Sequence, residues 1–211
     1  MKYLKFNFIL LIIIFIGFAS CKDNDEEPTE MHAKLNLQTL EAETAFGMLK
    51  AERVENSYVG MLEGDRAIGI SFTNDITLGG NNTDQVAVHL YDGDELAMLI
   101  GDVDSNGESA IESEALSDFD ASVEMTIKED SVSGNVFLPE ETIPFTVQKA
   151  TGNAGVYWAW GTGQNPDISG YWVVLPDQRQ WGCICFPPYT SPCCEMQRLF
   201  YMQHRSLVYF M

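Results

Sequence analysis

Ser122-Val123-Glu124-Met125-Thr126-Ile127 decides the fold of this chain. Val123, Met125 and Ile127 alternate with Glu124 and Thr126. A period of two puts the apolar side chains on one face of an extended strand and the polar ones on the other, the mark of a half-buried antiparallel strand. The same period recurs along the chain. It predicts strands over 57–62, 66–73, 85–91, 95–100, 132–138, 143–147, 155–160 and 170–175. Turn chemistry separates them: Glu63-Gly64-Asp65, Asp92-Gly93, Asn106-Gly107 and Ser133-Gly134, with Gly79-Gly80-Asn81-Asn82 as a longer loop. Many short strands at turn-punctuated spacing predict a mainly β fold, a single antiparallel β-sandwich or barrel-like domain over 57–195.

Upstream the pattern differs. Leu35, Leu40 and the run 46–49 approximate one helical face, with Glu41, Glu43 and Glu52 on the other, so a helical lead-in is expected over 34–56. Before it, residues 1–20 read as a signal peptide. Lys2 and Lys5 precede an apolar run over 8–19, shorter than the roughly 20 residues a spanning helix needs. Phe18-Ala19-Ser20-Cys21 resembles the lipobox of bacterial lipoproteins. That resemblance implies lipidation of Cys21 and acylation of the new amino terminus, and two or more acyl chains anchor a protein stably. Residues 21–33 follow as a tether. The charged run Lys22-Asp23-Asn24-Asp25-Glu26-Glu27-Pro28 has no apolar surface to bury. It also resembles the lysine-plus-acid signal that carries some Bacteroidota lipoproteins to the outer face of the outer membrane; otherwise it is a solvated spacer.

Composition narrows the classes. The chain has 211 residues, a formal net charge of −19 and a hydrophobic fraction of 45%, with 12 Phe and 8 Tyr. That is a globular composition long enough for a real core. The acidity is concentrated between Lys22 and Glu141, and so acidic a protein repels phosphate backbones, which excludes nucleic acid as a partner.

Between residues 58 and 182 the pieces Tyr58-Val59-Gly60, Tyr91-Asp92-Gly93, Gly155-Val156-Tyr157-Trp158 and Gly170-Tyr171-Trp172-Val173-Val174-Leu175-Pro176-Asp177 resemble small secreted and lipid-anchored bacterial β-domains. The resemblance implies the fold and carries no chemistry. Those domains usually have glycine after the aspartate of the last turn, where Gln178 stands here, so that turn is expected to be built differently.

Four features bear on chemistry. Asp102-Val103-Asp104-Ser105-Asn106-Gly107 begins like a calcium loop, but its twelfth position is Ser113, flanked by Glu112 and Glu114. It reads as an acidic turn between strands, or as an unorthodox Ca2+ site with Asp102, Asp104 and Asn106 as ligands, joined by Glu108 or Glu112. Trp158, Trp160, Trp172 and Trp181 cluster near Tyr157 and Tyr171. They read as core aromatics, or as a platform on which Trp158, Trp160 and Trp172 stack against sugar rings. Cys183, Cys185, Cys193 and Cys194 form an even set beyond the membrane, where disulfides persist; their pairing is open, and a thiolate metal site is the competing reading. His32, His89 and His204 are isolated, and His89, alternating with Val88 and Leu90, is expected to be exposed or hydrogen-bonded.

Residues 196–211 form an atypical tail, aromatic and basic, with Arg198, His204 and Arg205 and no acid. Nothing in the chain marks a catalytic residue. The expected role is a non-enzymatic structural or binding module of the cell envelope, lipid-anchored at the outer membrane and facing the cell surface. Its partners would be the membrane and a glycan or envelope protein. Glycan capture through the tryptophan-rich region is the sharper alternative, and a carboxylate-dependent hydrolase the reading from another class.

Overall fold

The computed structural model describes residues 33–72, 84–104, 106–113, 117–162 and 168–185. All of them belong to one compact unit, Met31–Met211. They form fourteen strands and, among the described residues, no helix: β1 (Leu35–Asn36), β2 (Glu41–Thr44), β3 (Gly47–Arg53), β4 (Ser57–Met61), β5 (Ala67–Phe72), β6 (Asp84–Asp92), β7 (Glu95–Val103), β8 (Glu108–Glu112), β9 (Ser122–Ile127), β10 (Ser131–Phe137), β11 (Thr142–Lys149), β12 (Gly155–Gly161), β13 (Ser169–Val174) and β14 (Gln180–Cys185). Two antiparallel sheets result. One has six strands in the order β1-β2-β3-β12-β13-β14, and the other has eight in the order β7-β6-β5-β4-β11-β10-β9-β8.

The eight-stranded sheet curls until its ends meet. Leu99 of β7 forms a bridge with Ser113 just past β8. Further along the same edge, Ser117 Oγ accepts the Met98 N–H at 3.0 Å and the Asp118 carboxylate accepts the Leu96 N–H at 2.8 Å. An edge strand's free backbone groups are thereby satisfied inside the fold. The inner face of this barrel is aliphatic: Ile68, Ile70, Val88, Leu90, Leu99, Val123, Val132 and Val136 pack there in one cluster. Pro144 lies within β11 at a position paired to Asn135 of β10, whereas β4 pairs with β11 only at Gln148 and Lys149. The missing N–H thus faces the side where no ladder bond is required.

The whole barrel is an insertion in the six-stranded sheet. The chain leaves that sheet after β3, builds β4 to β11, and returns as β12, which pairs antiparallel with β3. Arg53 closes the junction by donating Nη1 to the Gly152 carbonyl at 2.6 Å and Nη2 to the Ala150 carbonyl at 3.1 Å. Between the sheets a second core forms from Ala67, Ala87 and Met98 of the barrel and Val156, Tyr171 and Val173 opposite. Close approach needs Gly69, because a Cβ there would run into Val173 Cγ2. A third cluster, including Leu35, Ala42, Leu49, Tyr157, Trp172 and Ile184, covers the other face of the six-stranded sheet.

The helix expected over 34–56 is replaced by β1, β2 and β3, and the β-fold begins at Leu35 rather than at residue 57. Two turns prevent a helix. Asn36 Oδ1 accepts the Gln38 and Thr39 N–H groups at 2.9 and 3.3 Å, and Leu40 turns left-handed at φ 54°. Thr44 Oγ1 then accepts the Phe46 N–H at 3.1 Å, ahead of Gly47 at φ 129°. Ala42 between these turns, and Leu49 and Ala51 two apart on the strand after the second, are buried, with Ala42 paired opposite Leu49. Ser133-Gly134 is also no turn. Both residues lie within β10, and Gly134 is required because a Cβ there would meet the Glu124 carbonyl oxygen.

Candidate functional site

β12 places Trp158 and Trp160 two residues apart, so both rings leave the sheet on one side, as expected. They stack at a centroid distance of 4.9 Å and an angle of 39°. Glu52 lies opposite Trp158 on β3, and Lys50 lies opposite Trp160. Met48 continues that row, and Glu41 and Glu43 follow across β2. Trp158 leans on the core between the sheets, while Trp160 is half-buried at the rim. Phe46 at the hairpin tip and Met48 beside it, each 41% exposed, are the exposed large apolar side chains among the described residues. The result is an aromatic and aliphatic ledge rimmed by carboxylates.

Trp172 is not part of it. It pairs opposite Tyr157, so its ring leaves the other face of the sheet, where it is 1% exposed. It fits between Gly170 and Gly182, at either of which a Cβ would strike the indole, and it donates Nε1–H to the Ala33 carbonyl at 2.8 Å. A platform of three tryptophans therefore does not form. Strand parity separates Trp172 from the other two, and its role is packing.

His89 departs from expectation as well. It is neither exposed nor hydrogen-bonded: its surface is fully covered, and neither ring nitrogen has a partner. It faces the layer between the sheets, 5.7 Å from the Tyr171 ring. Burial pushes its pKa down to about 3 and pushes the Tyr91 and Tyr171 hydroxyls up. Ser71 Oγ, Ser169 Oγ and the Tyr91 hydroxyl share this layer or its margins without partners. Alternation alone assigned this face of β6 to solvent. The second sheet, laid over it by the insertion, is what buries it.

The calcium-like stretch forms the hairpin between β7 and β8. Asp104 Oδ1 accepts the backbone N–H groups of Asn106 and Glu108, each at 2.8 Å, and this holds its carboxyl below the usual range. Asp104 N–H donates to the Glu108 carbonyl at 2.9 Å, and Ser109 Oγ donates to the Asp102 carbonyl at 2.9 Å. Asp104 Oδ1, one of the oxygens that would face a cation, is thus committed to the turn. Asp102, Asp104, Glu108 and Glu124 border an open groove of about 690 Å³ with Ser133 and Asn135. Among the described residues no three His, Cys, Asp or Glu side chains converge as a metal site.

Cys183 and Cys185 point to the same side of β14, Cys185 fully buried beside the inter-sheet core and Cys183 packed against it. Neither stands as a free thiol. Cys193 and Cys194, Cys21 with the signal peptide and tether, His32, His204 and the tail over 196–211 lie outside the described residues. No family model, no curated protein and no solved structure matches the chain.

Proposed function

We propose that the chain is a non-enzymatic binding module of the cell envelope, anchored through lipid on Cys21 at the outer membrane and facing outward, and that it holds a neutral glycan on the ledge built from Trp158 and Trp160. The observation that carries this reading is the stacked, half-covered pair of indoles on one face of β12, with exposed Met48 continuing the facing row of β3. An apolar patch rimmed by polar residues marks an interaction site. The apolar C–H face of a sugar ring suits an indole, and Glu52 and Glu43 beside it supply acceptors for hydroxyl groups. A net charge of −19 disfavours acidic polysaccharides.

Catalysis is less well supported. His89, the histidine among the described residues, is sealed from any external substrate and cannot act on it as a base. Disulfides joining Cys183 and Cys185 to Cys193 and Cys194 suit the same extracytoplasmic setting, and the absence of free thiol at the first two supports them.

The test is depletion of the purified chain by insoluble neutral polysaccharides. Wild type binds, and Trp160→Ala loses binding with an unchanged melting curve. Failure of wild type to bind any of them overturns the glycan reading. Radiolabelled palmitate incorporation that survives Cys21→Ala overturns the anchor, and full protection of the domain from protease added to intact cells overturns the outward orientation.

A further inference from the structure

A second site lies at the far end of β13 from the ledge. Trp160 opposes Ser169 at one end of that strand, whereas Val174, at the other end, is flanked by Gly155 and Gln180. At about 3.3 Å per residue, the stretch from Ser169 to Val174 spans roughly 16 Å. Beyond Val174 the turn between β13 and β14 faces the turn between β6 and β7 across a cleft of about 530 Å³, within the range of small-ligand pockets. Its floor is sealed, with Tyr91 2% and Trp172 1% exposed.

The ions of the walls are already matched. Arg179 donates Nε–H to Asp177 at 2.8 Å and Nη1–H to Asp65 at 3.3 Å, and Asp94 on the facing turn has a contact of its own. A different set of groups is left to a ligand. Among the described residues the Gln178 side-chain amide, the Lys34 ammonium and the Trp181 indole N–H have no hydrogen-bond or ion-pair partner. Each is held in place. The Gln180 side chain accepts the Leu35 N–H and donates to the Leu35 carbonyl, both at 3.1 Å, which fixes Lys34 at the rim. Trp181 is half-buried, its ring centre 5.7 Å from the Arg179 guanidinium. Gln178, in the position noted above for its missing glycine, is kept left-handed at φ 69° while its N–H donates to the Leu175 carbonyl at 2.9 Å. Such backbone strain gathers at binding sites.

These groups select an uncharged ligand. An anion is repelled by a chain of net charge −19, and a cation meets Lys34 with the carboxylates already engaged. The amide both donates and accepts, the ammonium donates, and the indole offers an apolar face beside its N–H. Hydroxyl groups arrayed around a ring with an apolar C–H face match that set. Trp181 aside, the exposed walls are Lys34, Asp177, Gln178 and Arg179, which form no apolar pocket for the side chain of a peptide.

We propose that this cleft is a second saccharide site, taking one or two uncharged sugar rings, with a ring face on Trp181 and hydroxyl groups on the Gln178 amide and the Lys34 ammonium. It extends the glycan reading to a new place without resting on the ledge, no residue of which lines the cleft.

Calorimetric titration of the full chain, solubilised in a polyoxyethylene detergent, with cellobiose and with maltose tests it. Saturable binding of at least one is expected. Gln178→Gly relieves the left-handed backbone, so it melts at or above the wild-type temperature while binding falls about tenfold, the loss of two neutral hydrogen bonds. Lys34→Ala, at an exposed position, melts as wild type and also binds about tenfold more weakly. Trp160→Ala leaves disaccharide binding intact. If insoluble polysaccharides fail to deplete the wild type while disaccharide binding persists, the ledge reading falls and this one stands. Absence of saturable binding of both sugars, undiminished binding by Gln178→Gly and Lys34→Ala, loss of binding in Trp160→Ala, or tighter binding of the dipeptide alanyl-phenylalanine overturns the proposal.

Discussion

Trp172 donates its indole N–H to the carbonyl oxygen of Ala33 at 2.8 Å, across 139 residues of chain. This contact ties the entry of the chain into the domain to the centre of the six-stranded sheet. It also satisfies the one polar atom of the largest side chain buried there. Replacing Trp172 by Ala opens a cavity between Gly170 and Gly182, with an expected loss of about 3–5 kcal/mol. Trp172→Phe keeps part of the ring volume, loses the hydrogen bond and costs less. Urea titration followed by circular dichroism reads both, and a Trp172→Ala variant as stable as wild type would show that the indole is not core.

The two ledge tryptophans separate by depth. Trp158 leans on the core between the sheets, so Trp158→Ala lowers stability by about 3 kcal/mol. Trp160 stands at the rim, and its loss costs within about 1 kcal/mol. Thermal melts of the two variants should differ clearly, and equal destabilisation would place both rings in the core.

His89 makes stability depend on pH in a defined direction. Its folded pKa is lowered to about 3 by burial, whereas an unfolded histidine titrates near the ordinary value of about 6.5. Above that value both states hold the neutral ring and His89 contributes no dependence. Between about 6.5 and 3 the unfolded chain binds the extra proton, so stability falls as the solution is acidified. His89→Leu removes this component and with it two unpartnered ring nitrogens. The difference between wild-type and variant melting temperatures should widen, in favour of the variant, from pH 7 to pH 4.5. A constant difference would mean that His89 titrates in the fold as it does in the unfolded chain.

Asp104 acts through its acceptor oxygen. Asparagine keeps that oxygen, so Asp104→Asn should melt close to wild type, while Asp104→Ala frees the N–H groups of Asn106 and Glu108 and melts lower. Chelation with EDTA should leave the wild-type melt unchanged. A chelator-induced drop would show that a bound cation holds the hairpin.

Gly134→Ala tests the close pairing of β9 and β10. A Cβ at that position meets the Glu124 carbonyl oxygen, a backbone atom that cannot rotate away, and the expected loss is at least about 2 kcal/mol. Denaturant titration measures it, and a neutral result would require the strands to lie further apart.

Much of the architecture was readable before any coordinates. Strand β9 has the bounds that the alternation of residues 122–127 predicts, and Gly64, Gly93 and Gly107 turn with positive φ where turn chemistry placed them. Both signals are local: a pleated backbone sends neighbouring side chains to opposite faces, and glycine adopts left-handed conformations at little cost. The segment over 34–56 forms strands although its apolar residues fit a helical face nearly as well as an alternating one. The side-chain acceptors Asn36 Oδ1 and Thr44 Oγ1 decide for turns only when the chain folds back on itself.

Parity in the sequence determined that Trp158 and Trp160 share a face. It did not determine which face met water. That was decided by tertiary structure: the register opposing Trp172 to Tyr157, and the barrel inserted between β3 and β12, which covers one side of β13 and leaves the β2–β3 side of the ledge open. The same insertion buries His89. Alternation along a strand fixes relative directions over a few residues, whereas burial depends on which distant surface arrives, and only long-range pairing specifies that.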